Sequence, residues 1–404
     1  MDINKIRSDF PELEKKVNGN PLVYFDNAAT SLKPLQVIES ISGYYSGYNS
    51  NVHRAGHRMS ALATQAYENA RSKIAKFINA KHSNEIIFTS GTTESINLLA
   101  SIFENSILTD GDEIILTQME HHSNIVPWVA LKEKLKLNIK IIDIDENGNL
   151  LIDNPDEIWS VKTRVLSIVH SSNVLGIINP VRKLIHSAKK RGIITVVDGA
   201  QAIVHTGVDV QELDCDFYCF SGHKLYAPMG IGVLYGKKSL LDKMPVYQKG
   251  GGMIDKVSFE NISYNVLPYK YEAGTPNVGG AIGLASAIDY ISEIGFEDIF
   301  KYESELLAYA TDSLNDIDGI NIFGKTKDKD PILSFEVEGI HNYDLGAILD
   351  QFGIALRTGH HCAQPLMKKL GIKGTTRISF SFYNIKKEID YFVDKIKIAI
   401  NMLR

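Results

Sequence analysis

A regular alternation over residues 84–235 constrains the fold more than any other feature of this chain. Short runs rich in β-branched residues alternate there with amphipathic stretches of helical periodicity, which is the pattern of a mostly parallel sheet covered by helices. We therefore predict an α/β core with a mostly parallel, seven-stranded sheet. Its predicted strands are Glu85–Thr89, Glu113–Thr117, Ile139–Ile144, Arg164–His170, Ile193–Asp198, Asp216–Ser221 and Gly232–Tyr235.

The segments outside this core predict two further units. We predict an N-terminal arm over residues 1–30, a large α/β domain over 31–277 and a smaller α+β domain over 278–404. The arm is expected to pack with the smaller domain and to contribute to the site. Additional helices are predicted near 33–46, 60–79, 278–293, 296–316, 343–352 and 385–403, and additional strands at Ile332–Val337, Ile354–Arg357 and Thr376–Phe382.

Two glycine-rich segments, 249–257 and 271–280, lie between the large and the smaller domain. Clustered glycines allow backbone conformations that are closed to other residues, so both segments are predicted to be loops. They are either simple connectors or the border of a ligand site or of a subunit interface.

Composition and charge narrow the function classes. Of the 404 residues, 44% are hydrophobic and 23% are charged, a balance that favours a large buried core over disorder. The net charge of −5 offers no broad basic surface for nucleic acid. The polar start MDINKIRSDFPELEKK and the lack of an apolar stretch of about 18 residues argue against a targeting segment and a membrane span. With only three cysteines, the chain is expected to be a reduced, cytoplasmic protein.

Polar residues follow most of the predicted strands. In open α/β sheets, ligands bind beyond the carboxyl ends of the strands, so these residues are candidates for a site. They are Thr92, Thr93, His121, His122, Ser171, Asn173, Asp198, Gln201, Ser221, His223 and Lys224.

Asp198 and Lys224 suggest a particular cofactor. A buried carboxylate at Asp198 requires a cationic partner, and a lysine at the same edge of the sheet can act as an amine nucleophile. Pyridoxal phosphate (PLP) needs this pair, because its aldehyde forms a Schiff base with a lysine while a carboxylate keeps its ring nitrogen protonated. The alternative is that Asp198 caps a turn and that Lys224 is a solvated loop cation.

The segment SGTTES (90–95) is a candidate phosphate site, since it places hydroxyls and free N–H groups between a strand and a helix N-terminus. An ordinary capping box is the alternative for this segment. Ser221 and His223 are predicted to close the other side of the phosphate. In MEHHSN (119–124) the flat ring of His121 is suited to stacking on a pyridine ring, and no metal site is expected, because further ligands at suitable spacing are lacking.

Eight motifs extend this interpretation over nearly the whole chain. They are YFDNAAT (24–30), NVHRAGH (51–57), GTTES (91–95), EHHSN (120–124), VVDGAQ (196–201), SGHKLYAP (221–228), YEAGTPN (271–277) and RTGHHCAQP (357–365). In sequence and order, this set resembles the class V aminotransferase superfamily, and specifically the SufS-type (group II) cysteine desulfurases.

The resemblance implies a PLP enzyme of fold type I that works as a homodimer with active sites at the subunit boundary. It implies that Lys224 is the Schiff-base lysine, that Asp198 pairs with the ring nitrogen and that Gln201 partners the phenolic oxygen, with His121 stacked on the ring. The residues implied for the phosphate are Thr92, Thr93, Ser221 and His223, with Thr275 from the other subunit. Those implied for the substrate are Asn173, Arg357, Arg377 and the backbone around Ala28 and Ala29.

Cys362 decides the predicted reaction. It follows Arg357, His360 and His361 and precedes a short amphipathic helix. This setting favours a nucleophile, because nearby cations or a helix N-terminus lower the pKa of a thiol. The other two cysteines, in LDCDFYCF (213–220), lie in an apolar strand and are predicted to be packed core thiols.

We predict a desulfurase that converts L-cysteine to L-alanine. The freed Lys224 amine takes the Cα proton, His121 exchanges protons as well as stacking, and Cys362 attacks the substrate sulfur and carries it as a persulfide. The resemblance implies an acceptor protein for iron–sulfur cluster assembly, with L-selenocysteine as a side substrate. Relatives that serve a zinc-containing, SufU-like acceptor carry histidine where this chain has Tyr343, which favours a SufE-like acceptor.

Two other functions compete with this prediction. An aminotransferase or a kynureninase-like lyase on the same fold would keep Lys224 and Asp198 but would have no use for Cys362. A non-enzymatic protein on a decayed PLP fold predicts missing catalytic residues, and none of the key positions is missing.

Overall fold

The fold was analysed in a computed structural model, which describes residues 1–53, 55–327 and 329–404. Arg54, in the NVHRAGH motif, lies outside these ranges. The helices are α1 Ile3–Ser8, α2 Leu35–Gly47, α3 Arg58–Phe77, α4 Thr92–Glu104, α5 Val126–Leu135, α6 Val181–Lys189, α7 Ala202–His205, α8 Val210–Leu213, α9 Lys238–Leu241, α10 Val278–Ile294, α11 Phe296–Asn315, α12 Asn342–Gln351, α13 Gln364–Lys369 and α14 Lys386–Leu403. The strands are β1 Lys16–Val17, β2 Asn20–Pro21, β3 Val23–Tyr24, β4 Ile86–Thr89, β5 Glu113–Thr117, β6 Asn138–Ile142, β7 Thr163–Val169, β8 Ile194–Asp198, β9 Phe217–Ser221, β10 Gly232–Gly236, β11 Ile254–Val257, β12 Ile262–Tyr264, β13 Ile320–Phe323, β14 Ile332–Val337, β15 Ile354–Ala355, β16 Arg357–Gly359 and β17 Thr375–Ser379.

A seven-stranded sheet forms the centre of the molecule, in the order β4-β10-β9-β8-β7-β5-β6. Only β10 runs antiparallel to its neighbours, so the sheet is mostly parallel, as predicted. All seven predicted strands are present, and their ends differ from the prediction by at most two residues. The central strands β8 and β9 are buried almost throughout, which is why they consist of continuous β-branched and aromatic runs.

A second, four-stranded sheet, β13-β14-β17-β16, is built from the C-terminal part of the chain and packs against α11, α12 and α14. Strand β3 of the N-terminal segment pairs in parallel with β15, and Phe25 is fully buried in the same hydrophobic cluster as this sheet. These contacts agree with an N-terminal arm that packs with the smaller unit. The exact domain boundaries stay a prediction.

Three predictions in this region need correction. The segment 249–257 is not wholly a loop, because β11 occupies its end and forms a hairpin with β12. The predicted strand Ile354–Arg357 is two strands that join different sheets, since β15 pairs with β3 and β16 pairs with β17. The predicted strand Thr376–Phe382 ends at Ser379, because Phe380 N–H donates to the carbonyl of Pro331 and the chain then turns.

Helix α10 begins within the second predicted loop, 271–280, at Val278. Its glycines are required by packing, because a Cβ on Gly283 would lie 2.8 Å from Ile41 Cδ1 on α2, and one on Gly279 would lie 3.0 Å from the Tyr45 ring. Glycine therefore allows α10 to approach α2 closely, and Asn277 caps the helix by accepting from Gly280 N–H. Among the described residues, no helix is both long and apolar enough to cross a membrane.

A buried ion pair fastens the 251–277 segment to the large sheet. The Arg71 guanidinium on α3 donates to Glu272 at 2.7 and 2.9 Å, and only 1% of the Arg71 side chain is exposed. The same carboxylate accepts from Tyr67 Oη and from the Phe88 N–H on β4. Glu272 therefore joins a helix, a strand and the following loop.

We expect Arg71→Ala to lower the free energy of unfolding by about 3–5 kcal/mol, because it leaves the Glu272 carboxylate buried without its counter-ion. The measurement is the midpoint of urea unfolding. Lys73→Ala is the matched control. Lys73 lies on the exposed side of α3 and pairs with Asp289 of α10, and loss of such an exposed pair costs about 1 kcal/mol or less. Equal losses in both variants would contradict the role given to this pair.

Candidate active site

A cavity of about 210 Å³ lies beyond the carboxyl ends of the parallel strands. All predicted site residues except Thr275 and His122 line it, although they come from segments far apart in the sequence. They are Ala28, Ala29, Thr92, Thr93, His121, Ser171, Asn173, Asp198, Gln201, Ser221, His223, Lys224, Arg357, Cys362 and Arg377.

Lys224 follows β9 in a short 3₁₀ turn, and its side chain is enclosed by protein at the cavity wall. Burial is the main cause that lowers the pKa of its amine to about 8, and Arg377 and Arg357 lower it further. Asp198 ends β8 with 2% of its surface exposed, and burial raises the pKa of its carboxyl. The charge of Lys224 lowers the pKa of Asp198, and the charge of Asp198 raises the pKa of Lys224. Each residue therefore favours the charged form of the other.

The structure bears on the alternative that Asp198 caps a turn and that Lys224 is a solvated loop cation. Asp198 does stabilise a turn, since it accepts from Ala200 N–H at 3.0 Å, but it also lines the cavity. Lys224 is not a solvated loop cation, because the protein encloses it and holds its amine pKa well below that of a free lysine.

Helix α4 points its N-terminus at the cavity and begins at Thr92. The Ser221 hydroxyl lies 2.9 Å from both the N–H and the hydroxyl of Thr92, which joins this helix end to β9. The loop before α4 packs tightly on β10, because a Cβ on Gly232 would lie 2.4 Å from Gly91 Cα. The capping-box alternative is wrong, because Glu94 accepts from the N–H of Ser90, the residue before the N-cap, and the N-cap Gly91 has no side chain that could cap the helix.

His121 is held as a neutral ring. The N–H of Ser123 donates to His121 Nδ1 at 3.1 Å, which requires an unprotonated nitrogen there. Burial, together with the charge of Lys224, lowers the pKa of His121 to about 3. Ser123 also lies 2.7 Å from the Thr93 hydroxyl, so it links the His121 turn to α4.

Arg377 and Asn173 form a buried polar corner of the cavity. Arg377 donates to the carbonyl of Asn173 at 2.8 Å and to Asp26 at 3.0 Å. Among the described residues, Arg377 Nε and Asn173 Oδ1 are buried and have no hydrogen-bond partner. Arg357 also lines this corner and is exposed.

The N-terminal arm closes one side of the cavity. Gln201 donates from Nε2 to the carbonyl of Ala28 at 2.8 Å. The carbonyl of His223 accepts from Ser31 and Lys33, which ties the arm to the residue before Lys224. Burial lowers the pKa of His223 to about 4, so its ring is neutral at ordinary pH.

Cys362 lies on the loop between β16 and α13 and is partly exposed at the cavity. His361 before it is buried, and burial keeps the pKa of its ring well below the usual range. The positive charge in the cavity near Cys362 is therefore supplied by Lys224, Arg357 and Arg377 rather than by His361.

Thr275 lies apart from the other predicted site residues. It is exposed and lines a second cavity of about 370 Å³ together with His53, Gly252 and Gly274. Residues of both glycine-rich segments border this cavity. The prediction that Thr275 serves the site of a partner subunit stays a prediction.

Several residues that shape the cavity were not predicted from the sequence to have a role. Glu120 is fully buried, accepts from Thr117, Asn124 and Val169 N–H, and so fixes the turn that carries His121. Burial raises the pKa of the Glu120 carboxyl to about 8. Asp26 and Ser123 were also missed, although both lie inside recognised motifs. Their roles depend on contacts with Arg377 and Thr93 that sequence spacing does not reveal.

We expect native protein to react with one equivalent of iodoacetamide at Cys362 and to react at all three cysteines after denaturation. Cys215 and Cys219 have no exposed surface, and burial raises the pKa of the Cys215 thiol to about 12, so neither presents a thiolate. Mass spectrometry of tryptic peptides measures the labelled positions, with Cys362→Ala as the control. Fast native labelling of either strand cysteine would contradict this arrangement.

Comparison with known proteins agrees with this geometry. The Aminotransferase class-V family matches residues 23–392. A probable cysteine desulfurase of Halalkalibacterium halodurans is 48% identical over 96% of both chains, and a cysteine desulfurase of Wigglesworthia glossinidia brevipalpis is 47% identical over 100% of this chain and 98% of its own.

Solved structures give the same result. The cysteine desulfurase CsdA of Escherichia coli, in an S-sulfonic acid form, superposes with a TM-score of 0.93 at 38% identity and full coverage of both chains. The apo cysteine desulfurase of Thermococcus onnurineus superposes with a TM-score of 0.94 at 41% identity over 99% of this chain and 98% of its own. Because the family match and these relatives extend over nearly the whole sequence, this chain belongs to the class V aminotransferase family.

Proposed function

We propose that this protein is a PLP-dependent cysteine desulfurase that converts L-cysteine to L-alanine and retains the sulfur on Cys362. The observation that carries the proposal is the presence of an accessible thiol in the same cavity as a partly buried lysine of lowered pKa. An aminotransferase or lyase needs the lysine but not the thiol. The decayed-fold alternative fails, because every described residue on which the chemistry depends is present.

PLP fits the residues of this cavity. Lys224 offers an amine of lowered pKa, and the buried Asp198 has room for a cationic partner besides its bond to Ala200. The N-terminus of α4, with Thr93 and Ser221, provides hydroxyls and N–H groups for an anion. His121 has a neutral, flat ring beside Lys224. Bound PLP supplies an electron sink that stabilises negative charge at the substrate Cα.

Arg377 and Asn173 are suited to hold the substrate carboxylate. The unpartnered Arg377 Nε is a charge-assisted donor in a buried corner, where such a bond is strongest. Asp26 accepts from Nη2 of the same guanidinium, so the position of the guanidinium is fixed before substrate arrives. Arg357 adds a second cation at the exposed mouth, and the Ala28 backbone is fixed through Gln201.

In the reaction, the side chains then accept one proton and one sulfur atom from the substrate. The neutral amine of Lys224 takes the Cα proton, which its lowered pKa permits near neutral pH. The Cys362 sulfur attacks the substrate Sγ: an S–S bond forms, the Cβ–Sγ bond breaks, and its electron pair stays with the substrate carbon skeleton. That skeleton takes up protons and leaves as alanine, while Cys362 keeps the sulfur as a persulfide.

Several finer points belong to the same proposal. The enzyme works in the cytoplasm as a homodimer of the SufS type, with the arm, large domain and smaller domain divided at residues 30 and 277. The sulfur goes to an acceptor for iron–sulfur cluster assembly, and L-selenocysteine is a side substrate. Tyr343 is 68% exposed at the start of α12, and a phenol there does not supply the imidazole that suits zinc, which supports a SufE-like acceptor.

We expect Cys362→Ala to take up PLP normally but to lose sulfide release from L-cysteine by about 100-fold or more, because the variant lacks the nucleophile. Sulfide and alanine are measured after addition of dithiothreitol. Cys219→Ala is the matched control, since that thiol is buried outside the cavity. Sulfide release near the normal rate from Cys362→Ala would reject the assignment, and transamination products instead of alanine would favour the rival PLP activity.

We also expect the rate at which apoprotein takes up PLP covalently to rise with pH, to be half-maximal near pH 8 and to level off about one pH unit higher. The reacting species is the neutral Lys224 amine, whose pKa of about 8 means that it is mostly protonated below that pH. The visible absorbance of the bound cofactor measures the rate, and Lys224→Ala should show none. A rate that keeps rising towards the pKa of an ordinary lysine would contradict the enclosed position of Lys224.

A further inference from the structure

Two histidines beside Cys362 take no part in the proposed reaction. His122 lies on the turn after β5, and His360 lies on the Cys362 loop. Their rings face each other across the gap between the two segments, with centroids 5.6 Å apart and planes inclined by 35°. Neither ring lines the cavity.

Three hydrogen bonds join these histidines to the backbone of the loop. The N–H of Cys362 donates to His360 Nδ1 at 3.1 Å, and the N–H of Gln364 donates to His122 Nε2 at 3.2 Å. In the opposite direction, the N–H of His122 donates to the carbonyl of Cys362 at 2.7 Å. Cys362 is thus fastened both to a ring within the loop and to the β5 turn, and Gln364 is fastened to the same turn.

These bonds require both rings to be neutral. A backbone N–H is always a donor, so the ring nitrogen that receives it must carry a lone pair and no proton. Protonation of either imidazole converts that acceptor into a donor and breaks its bond to the loop. Burial is the main cause that lowers the pKa of His122, and the nearby His360 lowers it further. The lowered pKa keeps the ring of His122 neutral at ordinary pH.

The backbone of the loop needs such external support. His361 and Cys362 both have left-handed backbone angles, with φ of 51° and 55°, a conformation unfavourable for residues other than glycine. On the cavity side, Asn173 donates to the carbonyl of His361 and Thr375 bonds its ring. On the side of the loop away from the cavity, the bonds to His122 and His360 support the same stretch of backbone.

The other titratable groups around the two rings do not stabilise the protonated forms of these rings. The ring of His121 lies 6.3 Å from that of His122 and is neutral. His361 is neutral and buried behind His360. Arg357 and Lys224 are cationic and lie on the cavity side, and the Cys362 thiol is between the two sides. No carboxylate forms an ion pair with either ring in the part of the chain that the structure describes.

We propose that His122 and His360 are positioning residues that form a clasp, which holds the Cys362 loop against the cavity while both rings are neutral and releases it when either ring is protonated. Release would turn the sulfur-carrying residue from the cavity towards solvent. The link to sulfur transfer rests on the proposed function, whereas the clasp itself is a property of the loop.

The test distinguishes the effect of the hydrogen bond from the effect of the ring charge. It uses side chains that accept a hydrogen bond but do not titrate. Asn in His360→Asn can place an oxygen near Nδ1, and Gln in His122→Gln can place one near Nε2. The alanine variants at both positions remove the acceptor. His186→Asn is the control for loss of a histidine, since His186 is exposed on α6 away from the site.

The first readout is alkylation of Cys362 by iodoacetamide at about pH 8. We expect His360→Ala and His122→Ala to react about threefold faster or more, because the loop opens more often. The Asn, Gln and His186→Asn variants should react as the wild type does. Equal rates in the alanine variants and the wild type would overturn the proposal.

The second readout is hydrogen exchange of the peptide that spans residues 356–371, corrected for the intrinsic effect of pH. We expect the wild type to lose protection as the pH falls from about 8 to about 4.5, because the lowered pKa of His122 places its protonation below the ordinary histidine value of about 6.5, and we expect the His360→Asn, His122→Gln double variant to keep it. The same loss in both proteins would overturn the proposal, and so would its absence in the wild type. Neither readout depends on desulfurase activity, so failure of the proposed function is recognised separately by sulfide release from unmodified protein.

Discussion

Burial of the Lys224 amine opposite the Asp198 carboxylate is the constraint on which the rest of the site depends. Two ionisable groups enclosed at the end of a parallel sheet lose much of their hydration, and each makes the charged form of the other less costly. Desolvation prevails at the lysine, so its amine can be neutral close to physiological pH. A nucleophile and proton acceptor arises there because the sheet delivers both residues to one dry edge.

The remaining parts of the site are brought to this pair by the N-terminal arm and by the C-terminal unit. The N-terminal arm is held by Gln201 and by the carbonyl of His223, and the C-terminal unit contributes Arg377 and the Cys362 loop. Arg377 lies on β17, whereas the arm and the Cys362 loop are fixed largely by bonds to neighbouring segments. The cavity therefore exists only when the large sheet, the arm and the C-terminal unit are assembled.

Much of this fold could be predicted because its central strands are buried on both faces and consist of unbroken apolar runs. The hairpin formed by β11 and β12 was missed, since its strands are largely exposed and glycine-rich segments flank it. The break between β15 and β16 was missed because one continuous sequence pattern serves two different sheets. For the site, motifs identified Lys224 and Cys362, but they did not assign supporting roles to Glu120 or Asp26.

The sequence by itself determined the α/β core, the cofactor class and the residues with reactive groups, because periodicity and residue chemistry are local properties. Only the tertiary structure decided which of those groups share a cavity, which are neutral and which lie elsewhere. His361 precedes the thiol in sequence but is a buried neutral ring, and Thr275 lines a different cavity. Protonation state and proximity depend on desolvation and on contacts between distant segments, which exist only after the chain has folded.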